Sequence, residues 1–369
     1  MADFKSIKIT DTSGNAQGVL MDNGTITSRD YLDAVGEHDI STHKHWLKIG
    51  YTPSMTTTES EVWSFGGNYT FPSAAQQMLV VSNNNADIGI VIKGNTQGAT
   101  QTIISDSSGS MTTLVSMSTN FLSSTSVSTG NIVLLDPVGA TPEWGYVTNV
   151  STNILTVSNG FSSGGSGSNR AFSVVNTNAS TGALVIHIGY LDSSYNEQNV
   201  LSVLNGLATV PIKDVSGNNL TNFFRINSFR VIGAGSTNKT VGNLSLKGVT
   251  DGSTYSYILA GYTRARNAQY TVPSNQTLYI KEAMFSYVYS GGGGANYTRM
   301  YTRANVDELT GFKTNNIFYP YSEVLLSTNP ILLRFDVPTK LPPKTDIKVS
   351  GISTSSFPAT VVMRGWLEY

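Results

Sequence analysis

Few residues in this chain have the types and spacing that chemistry requires. Three of the four histidines, His38, His43 and His45, fall close together. If residues 43–45 are extended, His43 and His45 share a face, and around a threefold axis such a pair could hold a metal ion. No carboxylate pattern completes that set, so solvated arm residues are the plainer reading. His187 lies among apolar residues in Ala183-Leu184-Val185-Ile186-His187-Ile188-Gly189-Tyr190 and reads as a core or interface histidine. Glu282 sits in an apolar strand with no second carboxylate or imidazole at useful spacing, which predicts pairing with Lys or Arg on a neighbouring strand. A metal-binding β-barrel would need an HxH pair, a Glu and a distal His on its barrel strands, whereas His43-Lys44-His45 precedes the strand pattern. There is no Gly-x-Ser-x-Gly elbow for a serine nucleophile. Ser290-Gly291-Gly292-Gly293-Gly294-Ala295 lacks the Gly-Lys-Ser/Thr end of a phosphate loop and predicts a hairpin tip. The chain has no cysteine, which excludes thiolate metal sites, thiol nucleophiles and disulfide scaffolds. The expectation is a protein that is no enzyme and takes no cofactor or metal.

What remains is recognition. Tyr297, Arg299, Tyr301 and Arg303 alternate and so share one strand face. Tyr262, Arg264, Arg266 and Tyr270 form a second aromatic–basic cluster. Such faces can stack bases and contact phosphates, but Tyr and Arg are also enriched in protein interfaces. With 23 basic and 24 acidic residues the net charge is −1, and nucleic-acid affinity draws mainly on positive charge. Interface use is therefore expected, with no nucleic acid and no membrane as partner. The interface candidates are Tyr262, Arg264, Arg266, Tyr297, Arg299, Tyr301 and Arg303, with His43 and His45. Exposed Tyr and Asn could alternatively bind glycans. Asn-x-Ser/Thr triplets such as Asn68-Tyr69-Thr70 are expected to reflect composition rather than glycosylation, since no apolar signal run is visible in Met1-Ala2-Asp3-Phe4-Lys5.

The elements that must position these residues are strands. Charged residues are 13% of the 369, and Ser, Thr, Asn and Gly fill the gaps between apolar residues. All four disfavour helix interiors. Short apolar runs recur with turn signals between them, from Gln77–Ser82 through Ala183–Tyr190 to Thr360–Leu367, the spacing of a sandwich or barrel. Asn205-Gly206 predicts a tight hairpin joining Leu201–Leu204 to Leu207–Val210. Residues 1–50 differ: they hold a helix signal, capped at Thr27 or Ser28 and stopped at Gly36, and read as an arm that packs on a neighbour or on the main domain. Residues 88–178 are poor in charge and rich in Ser, Thr, Gly and Asn, with four short apolar runs and a flexible Ser162–Ser168 linker. They read as a small β-barrel-like domain inserted into a loop of a larger domain, since loop insertion costs little closure entropy. Asn84–Asp87 and Asn178–Ser180 would be the two ends of that loop.

The outer frame is similar to a family of tailed-phage virion proteins with a jelly-roll fold. The residues that carry the likeness are Trp63–Pro72, Leu79–Asp87, His187–Gln198, Leu204-Asn205-Gly206, Phe229–Gly235, Tyr270–Pro273 and Leu341–Val349. The resemblance covers roughly 61–87 and 179–369 and leaves out the arm and the insertion. It implies an all-β jelly-roll sandwich (51–87 and 179–369), to which the residue pattern adds the inserted small β domain (88–178) and the N-terminal arm (1–50). It implies a capsid decoration, or cement, protein or another particle-surface protein of a bacteriophage, assembled in the host cytoplasm onto the particle surface. The implied partners are the major capsid protein and two further copies in a homotrimer. The polar insertion leaves a second expectation open, a head-fibre or tail-associated adhesion protein that binds host glycan.

Overall fold

The computed structural model describes residues 42–94, 101–104, 111–116, 120–122, 127–136, 138–139, 142–161, 171–214, 217–288, 297–307, 310–314, 317–326 and 329–369, with four two-residue strands between residues 9 and 26. The described residues hold no helix. Their strand pairings are antiparallel throughout, and the chain is an all-β protein built of sandwiches of the jelly-roll type. The expected helix at 27–36, the Ser162–Ser168 linker and the Ser290–Ala295 tip lie outside the described residues.

The frame has two separate cores, where the sequence suggested one. In the C-terminal sandwich, one sheet runs Ile331–Leu341, Thr277–Tyr287, Phe357–Glu368, His43–Met55. Facing it are Tyr270–Thr271, Asp346–Ser353, Thr298–Ala304 and Tyr319–Leu326, with Ser60–Glu61 paired to Asp346–Ser353. Their inward residues, among them Met55, Phe285, Met300, Val349 and Val361, form one buried cluster. In the central sandwich, Val138–Gly139, Glu197–Val203, Ala183–Leu191 and Arg225–Ala234 make one sheet. Val210–Pro211, Met78–Ser82, Leu244–Gly248 and Thr254–Ile258 make the other. Met78, Ile186, Phe223 and Leu246 lie in its core.

The arm ends earlier than expected. Residues 43–50 belong to His43–Met55, which pairs with Phe357–Glu368 from His43↔Glu368 to Met55↔Phe357. Trp46 and Gly50 are buried there, so this segment is sheet rather than arm. The expected Asn205-Gly206 hairpin is also corrected. Gly206 does take a positive φ of 60° and Ala208 N–H donates to Asn205 O (3.1 Å), so the chain turns there. The strands on either side go to different sheets, however. Glu197–Val203 pairs with Ala183–Leu191, and Val210–Pro211 pairs with Met78–Ser82. The turn therefore carries the chain from one sheet of the central sandwich to the other.

Residues 90–176 contribute a seven-stranded antiparallel sheet in the order Ile90–Gly94, Phe172–Asn176, Ile132–Leu135, Glu143–Val150, Ile154–Phe161, Met111–Ser116, Gln101–Ile104. Leu114, Phe121, Val133, Leu155, Phe172 and Val174 bury together on one side of it. A single sheet excludes water from such a cluster only by curling over it. The other side is covered as well. Ile132 and Leu134 pack with Leu184, Val185 and Leu201 of the central sandwich. Ile132–Leu135 is therefore apolar at four consecutive positions, because both faces of the strand are dry.

The two ends of the inserted segment meet at Asp87, which is fully buried. Its carboxylate accepts from Ser82 Oγ (2.7 Å) and from the backbone N–H groups of Ala183 (2.8 Å), Val241 (2.9 Å) and Gly242 (2.7 Å). Gly182 N–H donates to Ala86 O (2.9 Å), and a Cβ at Gly182 would lie 2.2 Å from Asp87 Oδ1. Glycine is required there by close approach.

Candidate functional site

A groove of about 640 Å³ opens between the two sandwiches. Lys44–Ile49 of the C-terminal sandwich form one wall, His187, Gly189–Leu191 and Ile226–Arg230 of the central sandwich another, and Pro142 and Glu143 of the inserted segment reach its rim. Strand register assembles its charges. His187 pairs directly with Arg230, and Arg230 makes an isolated antiparallel bridge to Arg264 in the adjoining segment. Residues directly opposite on antiparallel strands share a face, so an imidazole and two guanidinium groups lie in one row. Lys48 approaches from the other sandwich, donating to Asn227 O (2.6 Å), with its ammonium 5.6 Å from the Tyr270 ring centroid.

Burial and then the Arg264 charge push the Lys48 ammonium down to about 7. Arg230 is lowered by the same two causes in the same order. Burial, reinforced by Arg230, pushes His187 down to about 4, against the opposing hydrogen bond from Asn199. His187 is thus a neutral imidazole at pH 7. Only 7% of its surface is exposed. Four buried polar atoms on groove residues have no hydrogen-bond partner among the described residues: Trp46 Nε1, His187 Nδ1, Arg230 Nε and Asn267 Oδ1. The acidic groups on the groove are Glu143 and Glu197, and Glu197 accepts from Gln276 Nε2 (3.0 Å).

The sequence candidates are scattered over the molecule. Arg264 lies in the groove, and His45 lies in its wall. Arg266 stacks between Tyr262 and Tyr51, with its guanidinium carbon 4.0 and 5.8 Å from the two ring centroids. Tyr270 is buried edge-on against Trp46 in the C-terminal core (5.4 Å). Arg299, Tyr301 and Arg303 do share the outer face of Thr298–Ala304, but their polar groups are engaged within the chain. Arg299 makes two contacts to Glu323 (2.7 and 2.8 Å). The Tyr301 hydroxyl and Arg303 both donate to Glu59, and Arg303 also reaches Ser350 Oγ (2.7 Å). Tyr297 stands exposed at the start of this face. His43 Nδ1 lies 2.8 Å from the Thr42 hydroxyl. The described residues contain no group of three or more His, Asp or Glu that could hold a metal ion. Glu282 pairs across strands with Arg364 (3.1 Å) and Arg334 (3.5 Å).

Sequence reasoning missed Lys48 and Arg230, and separated His187 from both. The signal was present in part: His187 and Arg230 each interrupt an apolar strand, which predicts a polar environment on one face. Nothing local ties them together, because the row exists only through register.

No family model matches the sequence. No curated protein matches it either. Among solved structures, the chain is similar to a chain of the T=1 particles derived from infectious bursal virus, at 11% identity over 88% of this chain and 74% of that chain, with a TM-score of 0.17. The infectious bursal disease virus Gt strain structure gives 11% identity over 88% of this chain and 71% of that chain, with a TM-score of 0.17. Both are virus-particle structures. Superposition at those values carries no argument, and the fold stands on the strands and cores described above.

Proposed function

We propose that the protein is a virion structural protein, a trimeric capsid decoration protein that binds the major capsid protein on the outer shell and stabilises it. The observation that carries this reading is the open side of the C-terminal sandwich. Among the described residues, Tyr319–Leu326 and Ile331–Leu341 each end their sheets. Ile331, Leu333, Phe335 and Tyr321 pack on the core yet stay only partly buried. Leu325, Leu332 and Val337 are 61%, 46% and 83% exposed. A long edge strand with apolar side chains is a template for association. Pro320 and Pro338 sit on these strands, where a missing N–H is tolerated at an edge and limits indiscriminate pairing. Such an edge suits a subunit that is covered in its assembly.

A decoration protein performs no reaction. It adds buried area at many repeated sites, and modest contacts held together by multivalency give large total stabilisation. Two stiff sandwiches present fixed surfaces for that purpose. The test compares purified particles with and without this protein. Loss of heat or osmotic resistance on its removal is expected, and unchanged resistance contradicts shell reinforcement.

A further inference from the structure

We propose that the groove between the two sandwiches binds a carboxylate-bearing sugar, with Arg230, Arg264 and Lys48 receiving the carboxylate. The inference does not depend on the shell role. Arg230, Arg264 and Lys48 make no ion pair among the described residues, whereas three well-covered cations elsewhere in the chain each meet a carboxylate. Arg225 has Asp346, Arg303 has Glu59 and Glu61, and Lys348 has Glu61. Here like charges face each other across a backbone bridge, an arrangement that costs stability when nothing offsets it. An anion in the groove offsets it, and two guanidinium groups suit the planar geometry of a carboxylate.

The orphaned atoms specify more than charge. Arg230 Nε needs an acceptor, whereas Asn267 Oδ1 needs a donor. His187 Nδ1 takes either role according to tautomer. Fully ionised sulfate offers acceptors only, so it leaves Asn267 Oδ1 unpaired. A polyhydroxylated acid supplies the carboxylate and, through its hydroxyl groups, both donors and acceptors. Asn199 and Gln198 add amides to the same lining. At about 640 Å³ the groove has the size of an ordinary small-ligand site and exceeds what one inorganic ion fills. Glu143 at the rim and Glu197 on the wall are the charges that oppose the ligand.

The experiment uses the full chain and isothermal titration with a trigalacturonate probe. Its arms are the neutral galactose trisaccharide, inorganic sulfate and a poly-glutamate peptide. Saturable uronate binding is expected, with the neutral sugar and sulfate each at least about tenfold weaker. Arg264→Ala, an exposed position whose removal relieves repulsion, is expected to weaken uronate about tenfold or more without lowering the thermal midpoint. No saturable uronate binding overturns the proposal. So does equal binding of the neutral sugar or sulfate, tighter binding of the peptide than of uronate, or uronate affinity unchanged by Arg264→Ala.

Discussion

Arg225 and Asp346 form a buried two-point ion pair, Nε to Oδ1 at 2.9 Å and Nη2 to Oδ2 at 3.0 Å, between the central and C-terminal sandwiches. Every side of the pair is occupied. Asp346 also accepts from Thr271 Oγ1 (2.6 Å) and Asn305 Nδ2 (3.3 Å). Arg225 Nη1 donates to Pro72 O (2.6 Å), and its guanidinium carbon lies 3.9 Å from the Phe224 ring centroid. A buried pair repays its desolvation only when satisfied in this way. Arg225→Met strands the carboxylate and is expected to cost about 3–5 kcal/mol, read from urea unfolding. The double change Arg225→Met with Asp346→Leu should cost less than the sum of the two single changes. Additive costs would show that the two residues are not coupled.

Asp87 makes a different kind of junction, with four donors and no cation. Asp87→Asn puts an amide N–H₂ where an acceptor is needed, so at least one backbone N–H loses its partner. A loss of about 2–4 kcal/mol is expected. Faster hydrogen exchange at Ala183, Val241 and Gly242 should accompany it, because those amides are the donors. Unchanged exchange at all three would refute the assignment of Asp87 as the neck of the insertion.

His187 makes stability depend on pH in a definite window. Its folded value is about 4 against an ordinary 6.5, so the unfolded chain binds the proton more readily. The stabilisation is complete above about 6.5, falls as the pH drops towards 4, and is flat below. The full swing is up to about 3 kcal/mol. Lys48 follows the same sign in another window: folded at about 7 and ordinarily 10.5, it makes stability rise between those values. The difference in urea midpoint between the wild type and His187→Gln, measured from pH 4 to 8, should carry the lower slope. A difference independent of pH would contradict a neutral buried imidazole.

The open edge gives a prediction about association. Leu332→Lys and Val337→Lys place charges on exposed strand positions, where folding stability changes by only about 0.5 kcal/mol. Self-association should be lost while the thermal midpoint is kept. Retained association in both variants would move the interface elsewhere on the surface.

Much of the fold was legible because strands declare themselves by local pattern. Ala183–Leu191 and Phe357–Glu368 both stand out as apolar runs between turn signals. The boundary at residue 43 was hidden, since His43-Lys44-His45 looks solvated and only its partner Phe357–Glu368 makes it a strand. Asn205-Gly206 was read correctly as a turn and wrongly as a hairpin, because turn chemistry fixes local φ and says nothing about which layer each flank joins. Alternation placed Arg299, Tyr301 and Arg303 on one face, but Glu59, Glu323 and Ser350, which occupy them, come from distant segments. The groove was least legible of all. Lys48, His187, Arg230 and Arg264 span more than half the chain, and register alone brings them together.

The central claim is that this chain is a subunit made to be covered by copies of itself and by a shell. Its most direct test is the sedimentation mass of the purified full-length protein across a concentration series. A trimer that persists on dilution is the predicted result. A monomer at every concentration, with its apolar edge left in water, would contradict the account.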